Sequence, residues 1–510
     1  MRWPVFLFTI TMVFLQNCRE TRQDKSIRLD ELTVADIHAA YRAGTFTCEE
    51  LMKAYLQRID SINPRINAIT YLNPQLLQQA RDLDAAYKQT GELRPLHGIP
   101  LIVKDNYETA GLPTTAGSNA LVRFVPQTNA WMVQKLLDAG AVILAKSNMA
   151  EWAFSPMHTE SSTFGITRNP YDTTRVPAGS SGGTAAAIAA NIGVLGLGTD
   201  TGNSIRGPSS HCALVGFRPS LGLVSRQGIV PLYLRNDVGG PMCRTVTDAL
   251  RVLQATAGVD AEDPLTYYGE SYVKEDYLRF LKADGLSGKR IGVLRVLSED
   301  MDPGIQLVYE QAIRDLRRLG ADVVDSLEIP GFDDLRTNQW CADFRKDIET
   351  YLTQWVQIDS VQTIEDILRI GTHSDFTRQR LEYQRSHIDR PDGEVPCGTP
   401  FDDPLRIAFR EAIEKVMDDQ VIDAIVYPTW TYPPAHIDRF REEYRGDNSQ
   451  VIAPHTGQPA ITVPMGFNAD GLPAGIQFLG RLFDESTLIE IAYGYEQGTR
   501  HRNQHGAVYQ

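Results

Sequence analysis

The sequence lacks the short motifs that mark metal- and nucleotide-dependent enzymes. Its 510 residues contain no H-E-x-x-H, P-loop or G-x-G-x-x-G pattern, so we expect no metal and no cofactor. Cysteine is scarce and scattered, with no C-x-x-C pair and no zinc-like cluster. We expect buried thiols rather than disulfides at most of the six positions, which are Cys18, Cys48, Cys212, Cys243, Cys341 and Cys397.

Basic residues are also in deficit. Lysine and arginine number 50 against 64 aspartates and glutamates, a formal net charge of −14, and no basic tract overrides that balance. Such a chain has no general attraction for phosphate backbones, which excludes nucleic acid as an expected partner. Beyond the N-terminus no apolar run approaches the ~20 residues of a membrane helix, and the 42% hydrophobic content is that of a folded globular protein.

The first 18 residues read as a signal peptide. Arg2 precedes an apolar run from position 5 to 15 that is too short to span a bilayer. The following LQNC at 15–18 resembles the lipobox of bacterial lipoproteins, which predicts export and a lipid anchor on Cys18. The alternatives are an ordinary signal peptide, giving a secreted or periplasmic protein, and an uncleaved N-terminal anchor.

A linker at 19–29 and one domain at 30–505 are predicted for the rest. Thr47 and Glu50 form a capping box before a helical apolar stripe. Short apolar runs at 100–103, 141–145 and 194–198 are typical of buried strands, and 184–191 is an alanine-rich helix. Their alternation predicts an α/β fold with a large, mixed and mainly parallel twisted sheet, covered by helices on both faces.

Three side chains are candidates for chemistry. Lys104 ends the apolar run of GIPLIVKDN (98–106), where burial would lower its pKa and let it act as a base. Ser180 lies in GSSGG (179–183), and Ser204 lies in DTGNSIR (200–206) just beyond a buried strand. Successive backbone N–H groups in such a turn can converge on an oxyanion; the turn is equally suited to binding an anion or to forming a corner clamped by Asp200 and Arg206.

Two familiar serine-hydrolase arrangements fit poorly. GSSGG also matches G-x-S-x-G with Ser181 as nucleophile, but a nucleophile elbow needs a strand leading directly into the turn. Residues 168–178 are instead polar and broken by prolines. His97, His158, His211 and His455 have no orienting carboxylate that the sequence identifies, so we interpret them as packed or surface residues.

Taken together, these segments resemble the amidase signature family. The order is the lysine segment, GSSGG and then D-x-G-x-S-I-R, with Ser204 following Ser180 by 24 positions. The segments GAVILAKSNM (140–149), NPYD (169–172), VYPT (426–429) and GQPAITVP (457–464) match too. The resemblance covers about residues 30 to 500 and implies the amidase signature fold.

The resemblance implies a Ser–Ser–Lys triad. Ser204 would be the nucleophile, Ser180 the bridging serine held by a cis peptide bond, and Lys104 the neutral base. The oxyanion would bind the backbone N–H groups of Thr201, Gly202, Asn203 and Ser204. Supporting roles would fall to Gly179, Ser181, Gly182, Asp200 and Arg206.

This chain departs from the family at three positions near the triad. Many members have glycine where Asn203 and Ala178 stand, and isoleucine where Thr201 stands. Asparagine tolerates left-handed backbone better than other residues with a side chain, so the turn can survive.

The implied function is hydrolysis of a carboxamide C–N bond through a serine acyl-enzyme, releasing a carboxylate and ammonia or an amine. The substrate would be a small-molecule or peptide-like amide. Whether the chain forms a homodimer is left open by the sequence. Two alternatives remain: a protein similar to the amidase component of a tRNA-dependent amidotransferase, and a non-catalytic binding lipoprotein with the same fold. Specificity is expected to lie around 157–159 and within about 335–450.

Overall fold

A computed structural model describes residues 27–340, 343–386 and 398–504. The predicted signal peptide, Cys18 and most of the linker lie outside the described residues, as do Cys341 and Cys397. Cys48, Cys212 and Cys243 are buried free thiols, which confirms that expectation for these three. None of the described helices combines the length and apolar character that crossing a membrane requires.

Within the described residues, eleven strands form one sheet and two more form a small hairpin. The strands are β1 (Ile69–Leu72), β2 (Pro100–Lys104), β3 (Val142–Ser147), β4 (Glu160–Ser161), β5 (Gly165–Ile166), β6 (Leu195–Asp200), β7 (Val215–Arg218), β8 (Val238–Cys243), β9 (Arg290–Val293), β10 (Asp322–Val324), β11 (Ala424–Pro428), β12 (Ala460–Phe467) and β13 (Pro473–Leu479). The large sheet runs in the order β1-β3-β2-β6-β8-β7-β12-β13-β11-β9-β10.

The sheet is mixed as predicted, but the expectation that it is mainly parallel is wrong. Only β2 with β3, β2 with β6, β9 with β10 and β9 with β11 pair in parallel among the described strands. The other six pairings in this sheet are antiparallel. Apolar runs identify buried strands in a layered fold, but they carry no information on the direction of the neighbouring strand.

Helices cover the sheet. They are α1 (Val34–Ala43), α2 (Cys48–Ile66), α3 (Leu76–Thr90), α4 (Trp131–Asp138), α5 (Gly182–Ala189), α6 (Arg206–His211), α7 (Val246–Thr256), α8 (Pro303–Arg318), α9 (Phe332–Leu335), α10 (Phe344–Tyr351), α11 (Ile364–Ile370), α12 (Asp375–Ser386), α13 (Pro404–Asp419), α14 (Phe440–Glu443), α15 (Ala453–Thr456) and α16 (Glu485–Thr499).

Local sequence explains the helix boundaries. The capping box predicted for α2 is present, with the Thr47 side chain accepting from the Glu50 N–H and the Glu50 carboxylate accepting from the Thr47 N–H. Every residue of α5 is buried, because its alanines and glycines let the helix pack closely on all sides, including against β2 and β6. A separate apolar cluster packs α10, α11 and α12 against residues 116–154.

Two parallel strands bring the candidate site together. β2 and β6 are neighbours, with Val103 paired to Leu197. Their carboxyl ends therefore reach the same edge of the sheet, where Lys104 ends β2 and Asp200 ends β6. Open α/β sheets bind their ligands at such an edge.

Candidate active site

Lys104 is fully buried and points at Ser180. Its Nζ lies 2.7 Å from Ser180 Oγ and 2.7 Å from Thr199 Oγ1. Burial lowers the pKa of this ammonium group to about 7, against the opposing influence of the Asp237 and Asp200 charges. A substantial part of the Lys104 population is therefore neutral near pH 7 and carries a lone pair that can accept a proton from a hydroxyl.

The GSSGG segment fixes Ser180 in a crowded turn before α5. The Gly179–Ser180 peptide bond is cis. A Cβ on Gly179 would lie 2.3 Å from the His158 carbonyl oxygen and one on Gly182 would lie 2.3 Å from Thr159 Oγ1, so neither position has room for a side chain. Ser181 Oγ accepts from the Thr199 N–H and donates to the Thr199 carbonyl, which ties this turn to β6.

Ser204 follows β6 in a turn held by a buried ion pair. Asp200 receives two hydrogen bonds from the Arg206 guanidinium at 3.0 Å each, and its carboxylate also accepts the N–H of Ile205 at 3.2 Å. Burial acts to raise the pKa of Asp200, but the charges of Arg206 and Arg218 hold it at about 2. Asp200 and Arg206 thus form a clamp around the Ser204 turn.

The Ser204 hydroxyl and the Ser180 hydroxyl are not hydrogen-bonded to each other in the described chain. Ser204 Oγ donates instead to Asn203 Oδ1 at 3.3 Å. Direct transfer of the Ser204 proton to Ser180 therefore requires the Ser204 hydroxyl to leave its hydrogen bond to Asn203.

A cavity of about 510 Å³ opens over this turn. Thr201, Gly202, Asn203 and Ser204 line one side of it. No hydrogen bond within the described residues uses the backbone N–H groups of Gly202, Asn203 or Ser204. These donors are therefore available to a group bound in the cavity, which suits the stabilisation of an oxyanion.

Much of the remaining wall comes from the regions expected to govern specificity. Met157 belongs to the first of them. The stretch 335–450 contributes seven of the residues that line the cavity, namely Trp340, Phe376, Arg380, Tyr383, Gln384, Tyr444 and Gln450. Four of these seven side chains are aromatic, so aromatic rings form much of this part of the wall.

Sequence reasoning missed several residues that build the site. Thr199 Oγ1 accepts from both Lys104 Nζ and Asn106 Nδ2, and its only sequence signal is a polar residue at the end of an apolar strand. Asp237 accepts the Thr201 hydroxyl at 2.5 Å, and Arg218 contacts Asp200. Both are distant in sequence, so no local pattern indicates them.

His158 has a neighbour that the sequence does not identify. A carboxylate does stand beside it, because Glu160 Oε2 lies 3.3 Å from His158 Nε2, while Nδ1 lies 2.7 Å from Ser155 Oγ. The ring stacks on Phe440 at 3.8 Å between centroids and does not line the cavity. His158 is therefore a packed residue, as expected, but one with a carboxylate neighbour.

In the part of the chain that the structure describes, no group of three or more His, Cys, Asp and Glu side chains is arranged to hold a metal ion. The groups that the site offers for chemistry are a buried lysine, two serines and a row of backbone N–H groups.

Comparison with known proteins identifies the family. The family model for Amidase matches residues 50–489. The chain belongs to the amidase family. A probable amidase of Arabidopsis thaliana is 34% identical, with 94% of this chain and 92% of that protein aligned. The A-type component of the glutamyl-tRNA(Gln) amidotransferase of Thermoanaerobacter pseudethanolicus is 32% identical, over 93% of this chain and 98% of that protein.

Solved amidase structures share the fold. The native peptide amidase of Stenotrophomonas maltophilia superimposes with a TM-score of 0.80 at 36% identity, covering 92% of this chain and 97% of that one. The corresponding amidotransferase component of Thermotoga maritima gives 0.70 at 29% identity, over 92% of this chain and 95% of that one. The amidase signature fold is therefore shown, and with it the general activity of the family, hydrolysis of a C–N bond in an amide.

Proposed function

We propose that this protein is an amidase that hydrolyses a carboxamide bond through an acyl-enzyme on Ser204. A proton relay runs from Ser204 through Ser180 to Lys104. Ser180 is the bridging serine and Lys104 is the base at its end. The observation that carries the proposal is the 2.7 Å contact between Lys104 Nζ and Ser180 Oγ, made by a fully buried lysine whose pKa is lowered to about 7. A lysine that is neutral at working pH can serve as a general base.

The first half-reaction forms the acyl-enzyme. As Ser204 Oγ attacks the carbonyl carbon, its proton passes to Ser180 Oγ while the proton of Ser180 passes to Lys104 Nζ. The tetrahedral oxyanion binds the backbone N–H groups of residues 201–204. Collapse of the intermediate breaks the C–N bond, and the proton returns along the relay to the leaving nitrogen, which departs as ammonia or an amine.

The second half-reaction uses water in place of Ser204. Its oxygen attacks the ester carbonyl, its proton enters the same relay, and Ser204 leaves with a proton restored to Oγ. The products are a carboxylate and the free enzyme. Splitting hydrolysis into two acyl transfers lets one set of groups serve both steps.

A stand-alone amidase acting on peptide-like amides is preferred over a component of an amidotransferase. The similarity to a peptide amidase supports it, as does the aromatic cavity beside Ser204. The predicted signal peptide also favours it, because aminoacyl-tRNA is a cytoplasmic substrate. A non-catalytic binding protein would have no use for a buried lysine directed at a serine. Release of ammonia from amides by the purified chain alone would separate the amidase from an amidotransferase component.

Export with a lipid on Cys18 is part of the proposal. The LQNC sequence at 15–18 supports it. Mass spectrometry of the mature protein tests it: a diacylglycerol mass on Cys18 is expected, which is absent from Cys18→Ala, whereas an unmodified Cys18 in the mature chain would contradict lipidation.

The catalytic assignment is tested by labelling with a fluorophosphonate. The wild-type chain should be labelled on Ser204, and Ser204→Ala should not be labelled at all. Lys104→Ala should react about 10⁴-fold more slowly or worse, because removing one member disables the whole unit. Ser180→Ala should retain a small residual rate through water, while Ser181→Ala, which alters only the contact to Thr199, should remain reactive. Full reactivity of Ser180→Ala would contradict the bridging role.

A further inference from the structure

The wall of the substrate cavity carries a single ionised side chain among the described residues. Its lining is aromatic, aliphatic or neutral-polar except for Arg380. Arg380 belongs to α12, and Gln384, one turn later on the same helix, lines the cavity with it. A positive charge therefore faces the same space as Ser204.

Within the described residues, Arg380 has no carboxylate partner of the kind that other arginines around the site have. Arg206 is paired with Asp200 at 3.0 Å and Arg235 with Asp347 at 2.5 Å. For Arg380, no carboxylate among the described residues lies at ion-pair distance. Its guanidinium stands 5.6 Å from the Tyr383 ring, its Nη2 makes a long 3.4 Å contact to Tyr233 Oη, and its Nε is buried without an acceptor.

A guanidinium group in this position has donors to spare for a bound molecule. A charge partly removed from water costs free energy unless it is paired and hydrogen-bonded. Arginine has five N–H donors in a planar fork that matches the two oxygens of a carboxylate. Nearby, Arg441 stands 5.3 Å from the ring centre of Phe376, another residue of the cavity wall.

We propose that Arg380 binds a carboxylate of the substrate, so that the enzyme prefers amides that carry a negatively charged group beyond an apolar or aromatic body. The inference rests on the proposed function, since it names the substrate class of the same site. The aromatic residues Phe154, Trp340, Phe376 and Tyr383 contact the apolar body, Arg380 holds the carboxylate, and the scissile amide lies at Ser204.

The proposal is tested with matched amides that differ in one charge. Acetyl-, succinyl- and glutaryl-phenylalaninamide share the same scissile bond. The latter two add a carboxylate, at two different distances from the phenylalanine. For the wild-type enzyme, kcat/KM should be on the order of ten- to a hundredfold higher for the better of the two acids than for the acetyl compound, the size expected of a charge-assisted hydrogen bond. Arg380→Gln should abolish that preference, and Arg380→Lys should keep part of it.

Arg378→Gln provides the matched control. Arg378 lies on the same helix, is half exposed, pairs with Asp375 at 3.0 Å and does not line the cavity. Its removal changes the net charge of the chain equally but should leave the preference for the acidic amides intact. An equal loss of preference in Arg378→Gln and Arg380→Gln would assign the effect to general electrostatics and overturn the proposal.

Binding without turnover separates this proposal from the catalytic one. Titration calorimetry of Ser204→Ala should show tighter binding of the acidic amides than of the acetyl amide, and the difference should vanish in Ser204→Ala/Arg380→Gln. Equal binding of all three amides, or failure of both acidic amides to bind, would overturn the carboxylate site even if Ser204 reacts with fluorophosphonate. Conversely, an unreactive Ser204 beside selective binding would refute the proposed function alone.

Discussion

Asn203 Nδ2 donates a hydrogen bond to Asp447 Oδ2 at 2.9 Å, joining the turn of Ser204 to a loop from the C-terminal part of the chain. Asp447 also accepts from Gln450 Nε2 at 2.8 Å, and burial raises the pKa of its carboxyl group to about 6. Since Asn203 Oδ1 accepts from Ser204, a residue that departs from the common glycine contacts the proposed nucleophile in this chain.

We predict that Asn203→Ala weakens the fold more than the chemistry. The backbone N–H of residue 203 remains, and the Asn203 amide is not a member of the relay, so kcat/KM should change by less than about tenfold. The free energy of unfolding should fall by about 1–3 kcal/mol, because Asp447 loses one buried donor. Steady-state kinetics and denaturant unfolding measure both. A loss of activity as large as that of Lys104→Ala would place Asn203 in the relay.

Two fully buried lysines should respond in opposite ways to removal of their charge. Lys104→Met should abolish activity while the unfolding free energy stays within about 1–2 kcal/mol of wild type, because the burial that lowers its pKa also makes its charge unfavourable. Burial lowers the pKa of Lys146 too, to about 8. Lys146 differs in its partners, because it donates to the Tyr107 carbonyl at 2.6 Å and pairs with buried Asp105 at 3.6 Å.

Lys146→Met should therefore cost about 3–5 kcal/mol, since it leaves a buried carboxylate without its partner. Chemical denaturation of the two variants at pH 7 compares them directly. Similar destabilisation in both would show that Lys104 is also a structural lysine.

Substitution of Gly179 should reduce both stability and activity, whereas substitution of its neighbour Ala178 should preserve them. In Gly179→Ala the new Cβ would lie 2.3 Å from the His158 carbonyl oxygen and 2.4 Å from that of Ser155, and both are backbone atoms. We predict a loss of about 3 kcal/mol, the upper range for over-packing, and a large loss of activity as Ser180 shifts.

The matched variant is Ala178→Gly. Ala178 has a φ of +63°, where glycine relieves about 1–2 kcal/mol of strain and loses part of that gain as chain entropy. Its stability should therefore remain within about 1 kcal/mol of wild type, with activity kept. Thermal unfolding and turnover measurements compare the two variants. If Ala178→Gly were less stable and less active than Gly179→Ala, the claim that Gly179 has no room for a side chain would be contradicted.

The sequence predicted the elements of the fold better than their arrangement. The apolar runs that became β2, β3 and β6 and the capping box of α2 are local patterns, and each appears where expected. The directions of β7, β8 and β12 are set by long-range pairing, which local apolar patterns do not encode. The prediction of a mainly parallel sheet is therefore wrong, and these strands pair antiparallel.

In the candidate site, too, residues in local motifs were predictable and residues that act through long-range contacts were not. Lys104, Ser180 and Ser204 stand in motifs with fixed order and spacing, and the fold brings these motifs to one edge of the sheet. Thr199, Asp447 and Arg380 could not be assigned because their importance arises from what they contact across the fold. A charged residue in a helix is usually solvated, and its place in the cavity wall distinguishes Arg380 from Arg378 on the same helix.

The pH dependence of Ser204 acylation tests the central claim most directly, namely that Lys104 acts as a neutral base. The pKa of Lys104 is lowered from its ordinary 10.5 to about 7, so the fraction of neutral amine rises with pH through that point. Both kcat/KM and the fluorophosphonate rate should rise to a plateau with a midpoint near pH 7. Asp447→Asn should retain this limb, which excludes the carboxyl with a pKa of about 6 as its source.

Lys104→Arg completes the measurement, because arginine keeps its charge throughout this range. The account predicts a rate at least about 10⁴-fold lower at every pH, without the rising limb of the wild type. Substantial activity of Lys104→Arg at neutral pH, or a wild-type midpoint near the ordinary lysine value of 10.5, would contradict it.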